Sequence, residues 1–187
     1  MENETREDDN SDFWKKIFKE ADVFQKYKLL TDDEISSELK LFNKIITPEE
    51  EKEIIENISS DDIKEYLNYF VDKIFPISFL NFLKYCNIQE MENGKRYFIF
   101  YSLKDIRDLT ISYSYPKWLK GGIPFASNGG GKHYVFDMRQ NSINGEYPIY
   151  AVDLCNLGWE TNGIYLLGNT FLEVVTGKKN VDDLLYS

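Results

Sequence analysis

Apolar side chains recur at three- and four-residue intervals in the first part of the chain, the spacing of helix faces buried on one side. Phe13, Trp14, Ile17, Phe18, Ala21 and Phe24 form one such stripe, and Ile35, Leu39, Phe42 and Ile46 form a second. Thr47-Pro48-Glu49-Glu50 has the pattern of a capping box: the hydroxyl accepts from first-turn amides, proline suits the first helical position and Glu50 reaches back. That helix is expected to run to about residue 58. Ser60-Asp61-Asp62 introduces another, carrying Ile63, Leu67, Phe70 and Ile74. Phe75-Pro76 breaks it, and Phe79, Leu80, Phe82, Leu83 and Cys86 continue on a further helix. Residues 2–11 are almost wholly polar and are expected to be disordered.

The pattern then changes. Residues 97–101 are a compact β-branched and aromatic run after a turn at Asn93-Gly94. Residues 102–111 read as a helix capped by Ser102 and Asp105. Three short strands are expected at 123–126, 134–138 and 149–152, with a fourth at 163–167. The links at 127–132 and 141–146 are rich in Asn and Gly, which adopt positive φ cheaply, so the strands form an antiparallel meander. Asn169 or Thr170 caps a last short helix bearing Phe171, Leu172 and Val175, closed by Gly177. The fold class is α+β: a mostly antiparallel sheet with helices on one side, preceded by an acidic helical extension.

Composition narrows the function. The chain has 187 residues, 42% of them hydrophobic, and carries 22 basic against 32 acidic side chains, a net charge of -10. Apolar residues are too plentiful for a chain disordered throughout, and the charge has the wrong sign for a nucleic-acid binder. No apolar run is long enough to span a membrane, and the acidic start is unlike a secretory signal, so a cytoplasmic location is expected. Cys86 and Cys155 make neither a metal-ligand spacing nor a disulfide framework. The 16% aromatic share follows codon bias: residues with AT-rich codons far outnumber those with GC-rich ones, as in a low-GC bacterial genome. Charge is segregated. Residues 1–75 hold 11 basic and 21 acidic side chains, whereas residues 76–187 hold 11 of each.

Candidate chemistry is sparse. Gly129-Gly130-Gly131-Lys132 lacks the leading glycine and trailing hydroxyl of a phosphate loop and runs into a strand, so it reads as a turn. His133, the one histidine, has no second imidazole or thiol cluster for zinc and no nucleophile elbow, and reads as a strand-end surface residue. Asp137 and Arg139 share a strand face and are expected to pair; Asp153 sits at a strand end. No catalytic set and no cofactor site emerge.

The segment Ile123-Pro124-Phe125-Ala126-Ser127-Asn128-Gly129-Gly130-Gly131 with Tyr134-Val135-Phe136-Asp137-Met138-Arg139 resembles the core of the SUKH superfamily. Pro148-Ile149-Tyr150, Asp153, the closing helix from Asn169-Thr170-Phe171, and the upstream Phe75-Pro76 with Phe79, Phe82, Leu83 and Asn87 extend the likeness over about residues 70–180. Ile88 stands where the family usually has glycine. The superfamily includes a yeast cell-wall assembly regulator and many bacterial toxin-immunity proteins. The resemblance implies a curved α+β sheet, no catalytic residues, and binding to a cognate protein toxin; an interaction scaffold in envelope assembly is the alternative. The resemblance marks an α+β domain at 70–180, and the residue pattern divides the rest into an acidic tail at 1–12, a helical segment at 13–69 and a tail at 181–187. If the toxin is a basic nuclease, the acidic half steers it, with Asp32, Asp33, Glu34, Glu49, Glu50, Glu51 and Glu53 as candidate partner-binding residues. Trp118 and Trp159 are the candidates on the neutral half, as contact or core residues.

Overall fold

The computed structural model describes residues 2–57 and 63–185. Helix α1 (Glu2–Ile17) leads into strand β1 (Asp22–Lys26), followed by α2 (Asp32–Phe42), α3 (Pro48–Asn57), the single turn α4 (Lys64–Leu67) and α5 (Ile77–Tyr85). Strands β2 (Ile88–Asn93) and β3 (Arg96–Phe100) form a hairpin; α6 (Leu103–Ser112) and α7 (Tyr115–Trp118) follow. Then come β4 (Gly122–Ser127), β5 (Lys132–Asp137), β6 (Ile149–Asp153), β7 (Ile164–Gly168), α8 (Phe171–Val175) and α9 (Val181–Leu185). The seven strands make one open antiparallel sheet in simple sequence order, each paired with the next. The α+β class and the meander stand as expected.

Local chemistry fixes several of these boundaries. Thr31 and Glu34 form a reciprocal capping box on α2. Thr47 and Glu50 do the same on α3: Glu50 N–H donates to Thr47 Oγ1 at 3.2 Å, and Thr47 N–H to Glu50 Oε2 at 2.8 Å. Ser102 Oγ accepts from Asp105 N–H, and Thr170 Oγ1 from Glu173 N–H. In the β2–β3 hairpin Gly94 has φ +65°, and a side chain there would also collide with Lys178.

The core is a block of phenylalanine rings on one face of the sheet. Phe125 and Phe136 stack at 4.3 Å, Phe82 lies 4.8 Å from Phe100, and Phe171 of α8 touches Phe79, Phe82 and Phe125 at 5.3–5.5 Å. Trp14 of α1 packs edge-on against Phe82 and Phe171. Phe42 of α2 joins through Phe75 at 4.9 Å, which in turn meets Phe136. The N-terminal helices are thus part of the same core, and β1 completes the sheet beside β2, so the segment before residue 70 is not an appended extension.

Other sequence expectations need correction. Residues 2–11 form the first turns of α1 instead of a disordered tail, continuing outward from the buried Trp14. The first stripe does not continue as a helix to Phe24: α1 stops at Ile17, and residues 22–26 become β1, which supplies partners to the otherwise open edge of β2. Phe24 is exposed there. The helix expected through Ile74 is only α4; residues 68–72 are turn, with Asp72 at φ 58°, and Ile74 is exposed. The cap expected at Ser60-Asp61-Asp62 lies outside the described residues. The expected C-terminal tail folds as α9, with Val181 buried.

The second face of the central strands is buried too. His133 and Val135 alternate with Tyr134 and Phe136 along β5, and all four are fully or almost fully buried. Helices therefore pack around the sheet instead of on one side. His133 is not a surface residue: it is 3% exposed, caged by the rings of Tyr101, Tyr113 and Tyr115 at 5.0–6.1 Å. Tyr115 Oη and His133 Nδ1 share a hydrogen bond at 2.8 Å, and burial raises the phenol well above its ordinary range, so it stays protonated. Burial also pushes His133 down to about 4, so the folded state keeps it neutral.

A buried cation ties the acidic helices to the sheet domain. Arg107 of α6 donates to both carboxylate oxygens of Glu50 at 2.7 and 2.8 Å and to the carbonyls of Phe42 and Lys44 at 2.5 and 3.0 Å. Its guanidinium also lies 4.2 Å from the Phe70 ring centroid. Burial alone would raise the Glu50 carboxyl, but the bonds from Arg107 and Thr47 outweigh it and hold it below the ordinary value.

Two outcomes follow from these buried groups. Arg107→Met leaves Glu50 without its cation and is expected to cost about 3–5 kcal/mol, read as a lower denaturation midpoint; Glu50→Gln should cost less, since it keeps the cap. As pH falls through the ordinary value of 6.5 toward about 4, the unfolded chain protonates His133 first, so stability is lost across that window. This contributes on the order of 3 kcal/mol, and His133→Gln, which keeps a hydrogen-bonding partner for Tyr115, should remove that part of the pH dependence. Equal slopes for both proteins in urea titrations between pH 4 and 6.5 would contradict it.

Candidate protein-interaction surface

The acidic candidates divide between two helix starts. At α2, Glu34 caps Thr31 and pairs with Lys28 at 2.8 Å, and these bonds bring its carboxyl down to about 2. Asp32 pairs with Lys84 of α5 at 2.7 Å, and Asp33 is exposed. At α3, Glu49 is exposed and Glu51 half-buried, while Glu50 is engaged by Arg107. Glu53 lies further along α3. Arg107 holds the α3 start against the carbonyl end of α2, so the two acidic groups sit near opposite ends of α2, about 16 Å apart along eleven residues. Glu34 and Glu50 are helix caps with committed hydrogen bonds. Asp33, Glu49 and Glu51 add charge at the favourable N-terminal turns of their helices.

Trp118 and Trp159 come together at one end of the sheet. Trp159 Nε1 donates to the carbonyl of Lys120 at 2.8 Å, its ring packs on Tyr150 at 5.5 Å, and the Arg139 guanidinium lies 3.9 Å above it. Arg139 is held in turn by a two-point pair with Asp137, at 2.8 and 2.7 Å, as expected from their spacing. Trp159 is thus half-buried packing. Trp118 is 53% exposed, with Lys117 Nζ 4.7 Å from its ring centroid, and is a surface residue. Sequence reading missed the Arg139–Trp159 stack, because the two lie twenty positions apart in loops without periodicity.

The residues weighed for chemistry are not brought together. His133 is sealed among tyrosines, Asp137 pairs with Arg139, and Asp153 accepts from Cys155 N–H at 2.9 Å and pairs with Lys132 at 3.3 Å. The glycine run is a turn. Gly129 and Gly131 have φ +70° and +85°, and Asn128 Oδ1 accepts from the amides of Gly130 and Lys132 at 2.9 and 3.0 Å. Those amides are already bonded within the loop, which suits a turn and leaves them unavailable as an anion cradle. Among the described residues no group of three or more His, Cys, Asp or Glu side chains is arranged to hold a metal ion.

Sequence reading also passed over a groove between α2 and α6. Two hollows, of about 260 and 220 Å³, share Glu38 and Leu103. Leu41, two turns past the α2 start, stands 56% exposed at its rim. The helical spacing of Glu38, Leu41 and Phe42 was the available signal, but only the packing of α6 makes it concave.

No curated protein matches the chain. The model of the SMI1 / KNR4 family (SUKH-1) matches residues 48–177, which takes in α3 through α8 and begins upstream of the likeness visible in the motifs. With most of the chain covered, including the glycine turn, β5 and the Phe171 helix, the protein belongs to the SMI1 / KNR4 family (SUKH-1).

Proposed function

We propose that this protein is a non-enzymatic cytoplasmic immunity protein, which binds a cognate toxin with a basic surface and neutralises it. The observation that carries the proposal is charge segregation: the whole net charge of -10 resides in residues 1–75, on a family scaffold compatible with an immunity or regulatory domain. A net negative face speeds the approach of a cationic partner and orients it before contact. Among the described residues no helix is long and apolar enough to cross a membrane, which fits a partner met in solution.

The candidate set is narrowed by the bonds described above. Asp32, Asp33, Glu49, Glu51 and Glu53 are the steering charges; Glu34 and Glu50 contribute to the field but are needed as caps. Trp118 offers a second contact on the neutral end, with Trp159 beneath the surface beside it. A role as a regulator in envelope assembly would use the same fold and would show as capture of housekeeping proteins in place of one toxin.

Where the neighbouring reading frame encodes a toxin domain, co-expression with it is expected to restore growth. The fourfold reversal Asp32→Lys, Asp33→Lys, Glu49→Lys and Glu51→Lys should slow association by about tenfold or more at low salt and flatten its salt dependence. Circular dichroism should show the fold retained. Association unchanged at low salt, measured by stopped flow with purified toxin domain, would reject the acidic half as the steering surface and leave the Trp118 end as the contact.

A further inference from the structure

We infer that the outer face of strands β1, β2 and β3 is the docking surface for a segment of the toxin that presents an arginine. Its guanidinium is seated against the rings of Phe24 and Tyr97 and the carboxylates of Asp22 and Glu92. This rests on the toxin-binding reading and adds to it the place where the steered complex is held.

Strand register assembles the surface. Asp22, Glu92 and Tyr97 form one cross-strand row, and Gln25, Glu90 and Ile99 the next, because directly opposed residues of antiparallel strands share a face. Met91 and Phe98 alternate with them and are fully buried in the core. The register shift between Val23 and Gln25 leaves Phe24 without a cross-strand partner, and its ring stands 6.3 Å from that of Tyr97. The face is open: Phe24 is 58% exposed, Asp22 is exposed, and Glu90, Glu92, Tyr97 and Ile99 are half-buried. The glycine turn borders it, since a Cβ on Gly129 would lie 3.4 Å from the Tyr97 ring and 3.5 Å from Ile99.

Charge in the two rows has one sign. Asp22 and Glu92 are directly opposed like charges, an arrangement that costs stability unless a cation neutralises it. Among the described residues neither enters an ion pair, and Glu90 accepts from the Tyr97 hydroxyl. Of the basic side chains on the three strands, Lys26 stands opposite Ile88, about 13 Å along β2 from Glu92. Arg96 is buried and donates to the carbonyls of Val174 and Lys179. Lys95 lies in the hairpin turn, beyond the last pair of Asn93 with Arg96.

The rest of the molecule indicates what completes such a set. Arg139 stacks on Trp159 while Asp137 grips its guanidinium at two points, and Arg107 lies over Phe70 while bonded to Glu50. In both, a guanidinium joins an aromatic ring to a carboxylate, a combination that suits the flat fork of arginine better than the point charge of lysine. The outer face offers ring and carboxylates together, and a basic partner supplies the cation. The repulsion between Asp22 and Glu92 is then relieved in the complex, which favours a cationic occupant over a neutral one. β1 continues directly into the connection that leads to the acidic α2 start, which ties this face to the steering charges.

The test separates holding from steering. Phe24→Ser and Glu92→Gln are made in the full chain, and binding to the purified toxin domain is followed by surface plasmon resonance. Each is expected to raise the dissociation rate roughly tenfold and to change the association rate by less than about threefold. Thermal unfolding of Glu92→Gln should stay at or above the unsubstituted midpoint, because the change removes one of two opposed charges. Binding by the unsubstituted chain with unchanged dissociation from both variants overturns the docking face and leaves the immunity reading standing. Faster dissociation from Phe24→Ser alone overturns the arginine seat. Absence of binding by the unsubstituted chain overturns both readings. Self-association of the chain alone, abolished by Phe24→Ser in sedimentation, would assign the face to a second copy and also overturn the proposal.

Discussion

Phe171 is the ring on which the architecture depends. It sits on a five-residue helix after the last strand, yet it touches α5, the centre of the sheet and Trp14 of α1. One fully buried side chain near the C-terminus thus closes a core begun at residue 14. Aromatic pairs of this kind add to plain area burial through edge-to-face geometry, and the rings around Phe171 are mostly edge-on. The order of the strands is local, but the core that holds the sheet against the helices is not. Phe171→Ala would remove contacts with the first helix and with the middle of the chain at once.

Around this apolar block three buried polar side chains each have partners. Arg107 serves three elements with one guanidinium, Arg96 donates to the carbonyls of Val174 and Lys179, and His133 shares a hydrogen bond with Tyr115. Each lies at a join between segments distant in sequence. Gly177 shows the same constraint from the other side: any side chain there would overlap the Arg96 guanidinium. Buried polar groups of this sort hold orientation as much as they stabilise, since an alternative packing would strand an unpaired charge.

Helix starts and turns were the most legible parts of the sequence. The capping box at Thr47-Glu50, the Ser102 cap at Asp105 and the glycine turn each rest on chemistry within four residues, and each is found as read. What depends on distant partners was not legible. Phe24 matched a helical stripe but belongs to an edge strand whose only reason is the neighbouring β2. His133 had no local feature to mark it as buried; its cage comes from Tyr101, Tyr113 and Tyr115, more than fifteen positions away. Of the candidate site, the carboxylates were visible as charges, but Glu50 is committed to Arg107, fifty-seven positions on. The groove at Glu38 exists only through the packing of α6 on α2.

The central claim is that the acidic helical half, not the neutral end of the sheet, receives the partner. Hydrogen–deuterium exchange of the full chain, with and without the toxin domain, tests it most directly. The account predicts new protection in the connections at residues 27–31 and 43–47, which lead into the two acidic helix starts. Protection confined to residues 117–121 and 158–161, around Trp118 and Trp159, would contradict it.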